Sequence, residues 1–195
     1  MMQKKRRVDP KRTYHYGQFE VGDIVFIRCK GWLFRSVTNA TGCWANHVGV
    51  IVGYDGQDYL VAESRVPLSC ITTLTKFIHR SENQRYEIKR FARTLTIQEQ
   101  ERIGFAAHKR LGILYHQGFK LNSKRQFCSK FVHEVYQDAA NIILGKVETF
   151  ARLLERTPKA SITFWRIWFI GCIPWRRYTI TPNSLYENSE LNTVS

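Results

Sequence analysis

The residues of this chain that could do thiol acyl-transfer chemistry lie far apart: a cysteine at 128, a histidine at 47 and a glutamate at 63. Cys128 falls in the stretch Gln126-Phe127-Cys128-Ser129-Lys130-Phe131-Val132-His133-Glu134-Val135-Tyr136. Phe127, Phe131, Val135 and Ala139 recur there every four residues, and Val132 widens the stripe. That period predicts an amphipathic helix with the cysteine in its first turn. A thiol so placed faces unpaired backbone N–H groups and the positive end of the helix dipole, which favour the nucleophilic thiolate. Alone, Cys128 reads as most free cysteines do, as a small buried apolar residue. His47 and Glu63 reverse that reading. His47 opens the apolar run His47-Val48-Gly49-Val50-Ile51-Val52-Gly53, and Glu63 closes Tyr59-Leu60-Val61-Ala62-Glu63. Asp55-Gly56 is a strong hairpin signal between the two runs. In a tight hairpin those ends are neighbours, so the carboxylate can fix one imidazole tautomer and stabilise the charged form. With the thiol, the set is nucleophile, base and orienter. Cys128 would attack a carbonyl carbon while His47 holds the proton and passes it to the leaving group. The Cys128 N–H would donate to the oxyanion.

The elements that must position these residues follow from the pattern. Gly22-Asp23 turns the chain into a strand through Arg28, and Trp32, Leu33, Phe34 and Val37 suggest a short helix. After the hairpin, Pro67 to Leu74 reads as a connection and Thr75 to Arg80 as a short helix. Arg85 to Phe91 alternates like a half-exposed strand. Thr96-Ile97-Gln98-Glu99 is a capping box opening a helix to about Leu111, and a loop over Tyr115 to Ser123 precedes the Cys128 helix. Val147 to Glu155 reads as another amphipathic helix ended by Thr157-Pro158, and Thr181-Pro182 as an N-cap and first helical residue. Strands first and helices after give an α+β fold.

Length and composition suit one domain at residues 18–195, with residues 1–17 as a basic flexible arm. The net charge of +14 raises nucleic acid as a partner. No recognition-helix, RNA-binding or metal-finger pattern accompanies it. The expectation is a solvated basic face with weak affinity for anionic surfaces, and no specific nucleic acid. Cysteines at 29, 43, 70, 128 and 172 form an odd set with no C-x-x-C pair. That argues against a disulfide framework and a zinc site and for a reducing compartment. No apolar segment follows the basic N-terminus, and the longest apolar run, Ile167 to Trp175, is broken by Gly171 and Pro174. A cytoplasmic protein without cofactor or metal is expected.

Gly22-Asp23, Asn46-His47-Val48-Gly49-Val50, Ala62-Glu63 and Phe127-Cys128-Ser129-Lys130-Phe131-Val132, in that order, resemble the bacterial YiiX/YebB-like family. The likeness runs over nearly the whole chain from about residue 19, and includes Val61 to Ser69 and Thr163-Phe164-Trp165. It implies a circularly permuted, NlpC-type papain-like fold in which the histidine strand precedes the cysteine helix. It also implies a small antiparallel β-barrel or sheet packed against that helix, Cys128 as nucleophile, His47 as base and acid, and Glu63 as the third polar residue.

The expected function is a cysteine hydrolase opening a peptide or isopeptide amide. A lipid acyltransferase or thioesterase on the same site is the first alternative, and a basic binding module with an idle thiol the second. Other side chains are weaker candidates. Cys43 lies in a loop four residues before His47 and reads as a bystander. His108 and His116 should face solvent, and His133 should point away from Cys128. Trp44 and Tyr115 could line a cleft, though packing explains an aromatic equally well. Phe164 to Trp175, with Arg166, Arg176 and Arg177, could lie on a membrane. Burial against the barrel is the stronger expectation for that stretch.

Overall fold

Gly22 starts the first strand because only glycine fits there. Its φ is +101°, and an added Cβ would come within 2.6 Å of Leu95 Cδ1. The structure, a computed structural model, describes residues 17–31, 34, 38–39, 42–157 and 160–194. The expected arm lies almost wholly outside these residues, as do most of the proposed helix at 32–37 and Pro158.

Strands β1 (Ile24–Cys29), β2 (His47–Tyr54), β3 (Tyr59–Ser64), β4 (Ser69–Thr73), β5 (Ser81–Phe91) and β8 (Leu191–Thr193) form one antiparallel sheet. Its order is β4-β3-β2-β1-β5-β8. The β2–β3 hairpin turns as expected, with Asp55 Oδ1 accepting the N–H groups of Gln57 and Asp58. β2 pairs with β1 on its other side, Ile27 opposite His47. Both strands are continuously apolar because both faces of the sheet are covered. Ile24, Phe26, Val48, Val50 and Ala62 pack with Ile103, Phe131, Val135 and Tyr136. These come from α2 (Ile97–His108) and α3 (Cys128–Ala140). Val25, Ile27, Ile51, Val61 and Ile88 pack with Leu74 and Phe77 of α1 (Leu74–His79).

The sheet is open, so of the expected barrel or sheet it is a sheet, not a closed barrel, that packs against the cysteine helix. The outer side of β4 meets an irregular segment: Ser69 N–H donates to Ile113 O and Gly112 N–H to Ser69 O. At the other edge β8 is a short strand on β5. β4 itself replaces the connection expected at 67–74, and β5 starts at Ser81 instead of Arg85. The helix expected from Val147 is shorter. Glu148–Thr149 forms β6, paired with β7 (Tyr178–Thr179), and α4 (Phe150–Glu155) follows. α5 (Ile162–Trp168) and α6 (Pro182–Tyr186) complete the described helices, α6 with the expected Thr181 cap. Phe150, Leu154, Trp165 and Ile173 form a third cluster. Among the described residues no helix is long and apolar enough to cross a membrane.

Gly49 on β2 is a test of this packing. A Cβ there would meet Val61 Cγ1 at 2.6 Å, Phe77 Cε2 at 3.0 Å and Ala62 O at 3.1 Å. Gly49→Ala is expected to lower unfolding stability by about 1–3 kcal/mol through overpacking. Urea denaturation followed by tryptophan fluorescence measures it.

Candidate active site

Hairpin β2–β3 delivers the imidazole and carboxylate together. His47 Nε2 is 2.6 Å from Glu63 Oε2, and both residues are buried. The other carboxylate oxygen, Oε1, accepts from Arg80 Nη2 at 2.7 Å. Arg80 ends α1 and lies over the Phe77 ring, 5.0 Å from its centroid. Phe77 in turn stacks on His47 at 5.4 Å with an interplanar angle of 27°. The imidazole is therefore fixed by a carboxylate at one edge and by an aromatic ring on one face. With Nε2 engaged by Glu63, Nδ1 is the nitrogen left to exchange a proton with another group.

Cys128 is the first residue of α3, and its N-cap, Phe127, makes no side-chain capping bond. First-turn N–H groups are thus left for other acceptors. Burial opposes ionisation of Cys128, but the hydrogen-bonding His47 imidazole, the Ser129 N–H and the Tyr115 hydroxyl outweigh it and hold the thiol below its usual range. Burial also opposes a charge on His47. The neighbouring Cys29 and Cys128 sulfurs and the Glu63 carboxylate overcome that and hold the imidazole well above its usual value. For Glu63, burial acts upward, yet His47 and Arg80 keep the carboxyl below the ordinary carboxylate range. The directions agree: both favour a proton on the imidazole and negative charge on sulfur.

Tyr115 is brought here by backbone pairing. Its N–H donates to Pro67 O at 2.9 Å, and the next N–H, of His116, donates to Gln126 O. Its hydroxyl lies beside the Cys128 thiol and backbone N–H. Burial and the Cys128 charge push its pKa well up, so it stays a neutral O–H donor. The pair opens into a cleft of about 410 Å³. Its walls are largely aromatic, with Phe34, Phe119, Phe127, Phe150, Phe164, Trp165 and Trp168, while Lys30, Arg65 and Arg80 supply cations.

The remaining expectations divide. Cys43 is buried among core residues outside the cleft, and burial raises its pKa. Trp44 is also away from it, edge-on to Tyr186 and beneath Arg85. His108 is exposed as expected, bound to Gly104 O at 2.8 Å. His116 is half-buried instead of solvent-facing, because its Nδ1 accepts the Gly118 N–H at 2.9 Å. His133 points away from Cys128 and bonds Leu144 O at 2.7 Å. The Phe164–Trp175 stretch is neither wholly buried nor wholly exposed: Trp165 and Ile173 are core, while Phe164 and Trp168 wall the cleft.

Three contributors have no strong sequence signal. Arg80 depends on how α1 packs. Cys29 is a buried thiol whose pKa is raised by burial, and it lines the cleft beside His47. The Asn46 side chain ties the end of β1 to the start of β2. Its Oδ1 accepts from Cys29 N–H at 2.7 Å, and its Nδ2 donates to Cys29 O at 3.2 Å. Only the last could have been suspected, since an amide beside a strand-opening histidine is a ready backbone clamp.

Iodoacetamide should alkylate Cys128 faster than Cys43 at neutral pH. As pH is lowered from 9 towards 6, the Cys43 rate should fall while that of Cys128 persists, because its thiolate is held below the free-cysteine range of about 8.5. Peptide mapping by mass spectrometry reads both sites at once.

The chain is 25% identical over 178 residues to the uncharacterized protein YiiX of Escherichia coli (strain K12), covering 91% of this chain and 87% of that protein. Its fold matches the crystal structure of yiiX from Escherichia coli O157:H7 with a TM-score of 0.84 at 24% identity, over 92% of this chain and 98% of that one. That protein is described as a metalloprotein. In this chain, among the described residues, no group of three or more His, Cys, Asp or Glu is arranged to hold a metal ion. His47 Nε2 is committed to Glu63. The family model for the permuted papain-like amidases, YaeF/YiiX, C92 family, matches residues 18–195. A histidine strand that precedes its cysteine helix in the chain is what such a permutation produces, and this chain belongs to that family.

Proposed function

We propose that the chain is a cysteine hydrolase that opens an amide through Cys128, His47 and Glu63. The observation that carries this is the buried His47–Glu63 contact, beside a thiol whose pKa the same imidazole lowers. Cys128 Sγ attacks the carbonyl carbon, forming a C–S bond as the carbonyl π electrons move to oxygen. The Cys128 N–H and the Tyr115 O–H meet that oxyanion. Collapse breaks the C–N bond, and the proton on His47 Nδ1 leaves with the amine. Water then attacks the thioester, His47 takes its proton, and the carboxylic acid departs as the sulfur regains its negative charge. Glu63 keeps Nε2–H pointed at its carboxylate throughout, with Arg80 holding the carboxylate in place. A reducing compartment such as the cytoplasm suits a free thiolate, and all five cysteines are free.

A second reading has a specific observation behind it. The aromatic walls fit an apolar acyl group better than a polar peptide. A thioester or lipid amide would then be the substrate, with the same acyl-Cys128 intermediate. One experiment separates the readings: incubate the protein with matched palmitoyl-amide, palmitoyl-thioester and unacylated dipeptide anilide substrates, and look for acyl-Cys128 by intact mass. Turnover of the dipeptide with none of either palmitoyl compound would eliminate the acyl reading. No adduct with any, together with a Cys128 that alkylates no faster than Cys43, would eliminate the hydrolase.

A further inference from the structure

Beyond the cleft, the outer side of α5 and the turn after it form an exposed apolar tip. Ile167 is 73% exposed and Ile170 93%, the latter at φ +52° followed by Gly171 at +89°. A β-branched residue in the left-handed region is uncommon, and here it puts an isoleucine almost wholly into solvent. Trp165 and Ile173, buried on either side, anchor the same turn in the core. This tip is held by packing and yet presents apolar side chains outward.

The two segments that build it carry one sign of charge. No Asp or Glu occurs between Glu155 and Glu187, and Arg166 and Arg176 are exposed within that span. The loop 116–125 is fastened to it, with Trp168 Nε1 donating to Gln117 O at 3.0 Å and Arg177 Nη1 to Gly118 O at 2.7 Å. That loop also lacks acidic residues and exposes Lys120, Lys124 and Arg125. Its His116 registers the field: after burial, the nearby Arg177, Arg125 and Lys130 push it below the usual range.

We propose that Ile162, Ile167, Ile170 and Trp175, with Arg166 and Arg176, form a docking surface for an anionic lipid bilayer. The apolar residues enter the acyl boundary and the cations meet lipid phosphates, the combination that holds a protein in the interface without spanning it. The same helix supplies Phe164 and Trp168 to the cleft. An acyl group leaving the bilayer therefore reaches the thiol along an aromatic wall. Docking stands on the surface alone; delivery of an acyl group rests on the hydrolase reading.

Co-sedimentation with vesicles of phosphatidylcholine, with and without about one-third phosphatidylglycerol, tests it. Wild type and Cys128→Ser should both bind the anionic vesicles and be released by salt. Ile167→Asp/Ile170→Asp should weaken binding by at least about tenfold, and Arg166→Glu/Arg176→Glu should remove the preference for phosphatidylglycerol. Both variants should keep the wild-type melting temperature and Cys128 alkylation rate. Anionic-vesicle binding that survives the isoleucine substitutions belongs to the basic N-terminal run and overturns the proposal. So does equal binding to both vesicle types, or a dimer that Ile170→Asp converts to monomer while neither form binds vesicles. If Cys128→Ser binds while wild type hydrolyses nothing, docking holds and the hydrolase reading fails.

Discussion

Cys128→Ser should lower kcat by roughly 10⁴-fold or more and leave the fold intact. Serine keeps the size and the hydrogen-bonding reach of the side chain, so the helix start and its contacts with Tyr115 and Ser129 are retained. What disappears is the thiolate, since a hydroxyl is far too weak an acid for His47 to hold deprotonated. Residual rate of the order found when a nucleophile is removed from such sites should remain, from substrate binding and oxyanion donors alone. Because nucleophile and base act as a unit, His47→Ala should cost about as much, and the double variant little more than either. A double variant showing the product of the two single losses would mean the residues act independently. Steady-state kinetics on whichever substrate gives an acyl adduct, with near-identical melting curves, is the measurement.

Glu63→Gln should lower kcat by about 10⁴-fold, the order found for losing the orienting carboxylate of a catalytic histidine. From sequence alone a milder, supportive role is expected. The structure raises the stakes, because Glu63 is fully buried and binds both His47 and Arg80. Removing one partner of such a buried ionic group costs about 3–5 kcal/mol of stability. Glutamine is therefore the informative substitution, and alanine is expected to compromise folding. Two pH signatures identify the role. His47 is raised partly by Glu63, so the basic limb of kcat/KM should move to lower pH in the variant. The folded Glu63 carboxyl lies below its ordinary value. Its stabilisation is complete above the unfolded pKa and is lost as pH falls through the folded one. The stability gap between wild type and Glu63→Gln should therefore narrow in acid, as pH-dependent urea melts would show.

The hairpin, the cysteine helix and both caps were legible because each is specified by local pattern: Asp55-Gly56, the four-residue apolar stripe, and Thr96 with Glu99. β4 was not, since Ser69 to Thr73 follows a proline and carries little apolar content. Its pairing with β3 supplies what its composition does not. Val147 and Glu148 look helical from their periodicity, but β7 arrives from thirty residues on to pair with Glu148–Thr149. At the site, Cys128, His47 and Glu63 could be singled out by type and element position. Arg80 and Cys29 could not, because only tertiary packing of α1 and β1 brings them beside the hairpin. The same holds for the aromatic stretch, whose two sides do different things, a division that no linear pattern announces.

The cysteines also have a consequence for how unfolding would look to a thiol reagent. Burial raises the pKa of Cys29, Cys43 and Cys70, so opening the protein makes each of them more reactive. Cys128 runs the other way. Its acidity is lent by His47 on a different element, and withdrawing α3 from β2 returns it to an ordinary thiol. In a denaturant series at neutral pH, Cys128 should slow over the same transition in which Cys29, Cys43 and Cys70 quicken. The crossing point of those rates would mark the separation of helix from hairpin within a single sample.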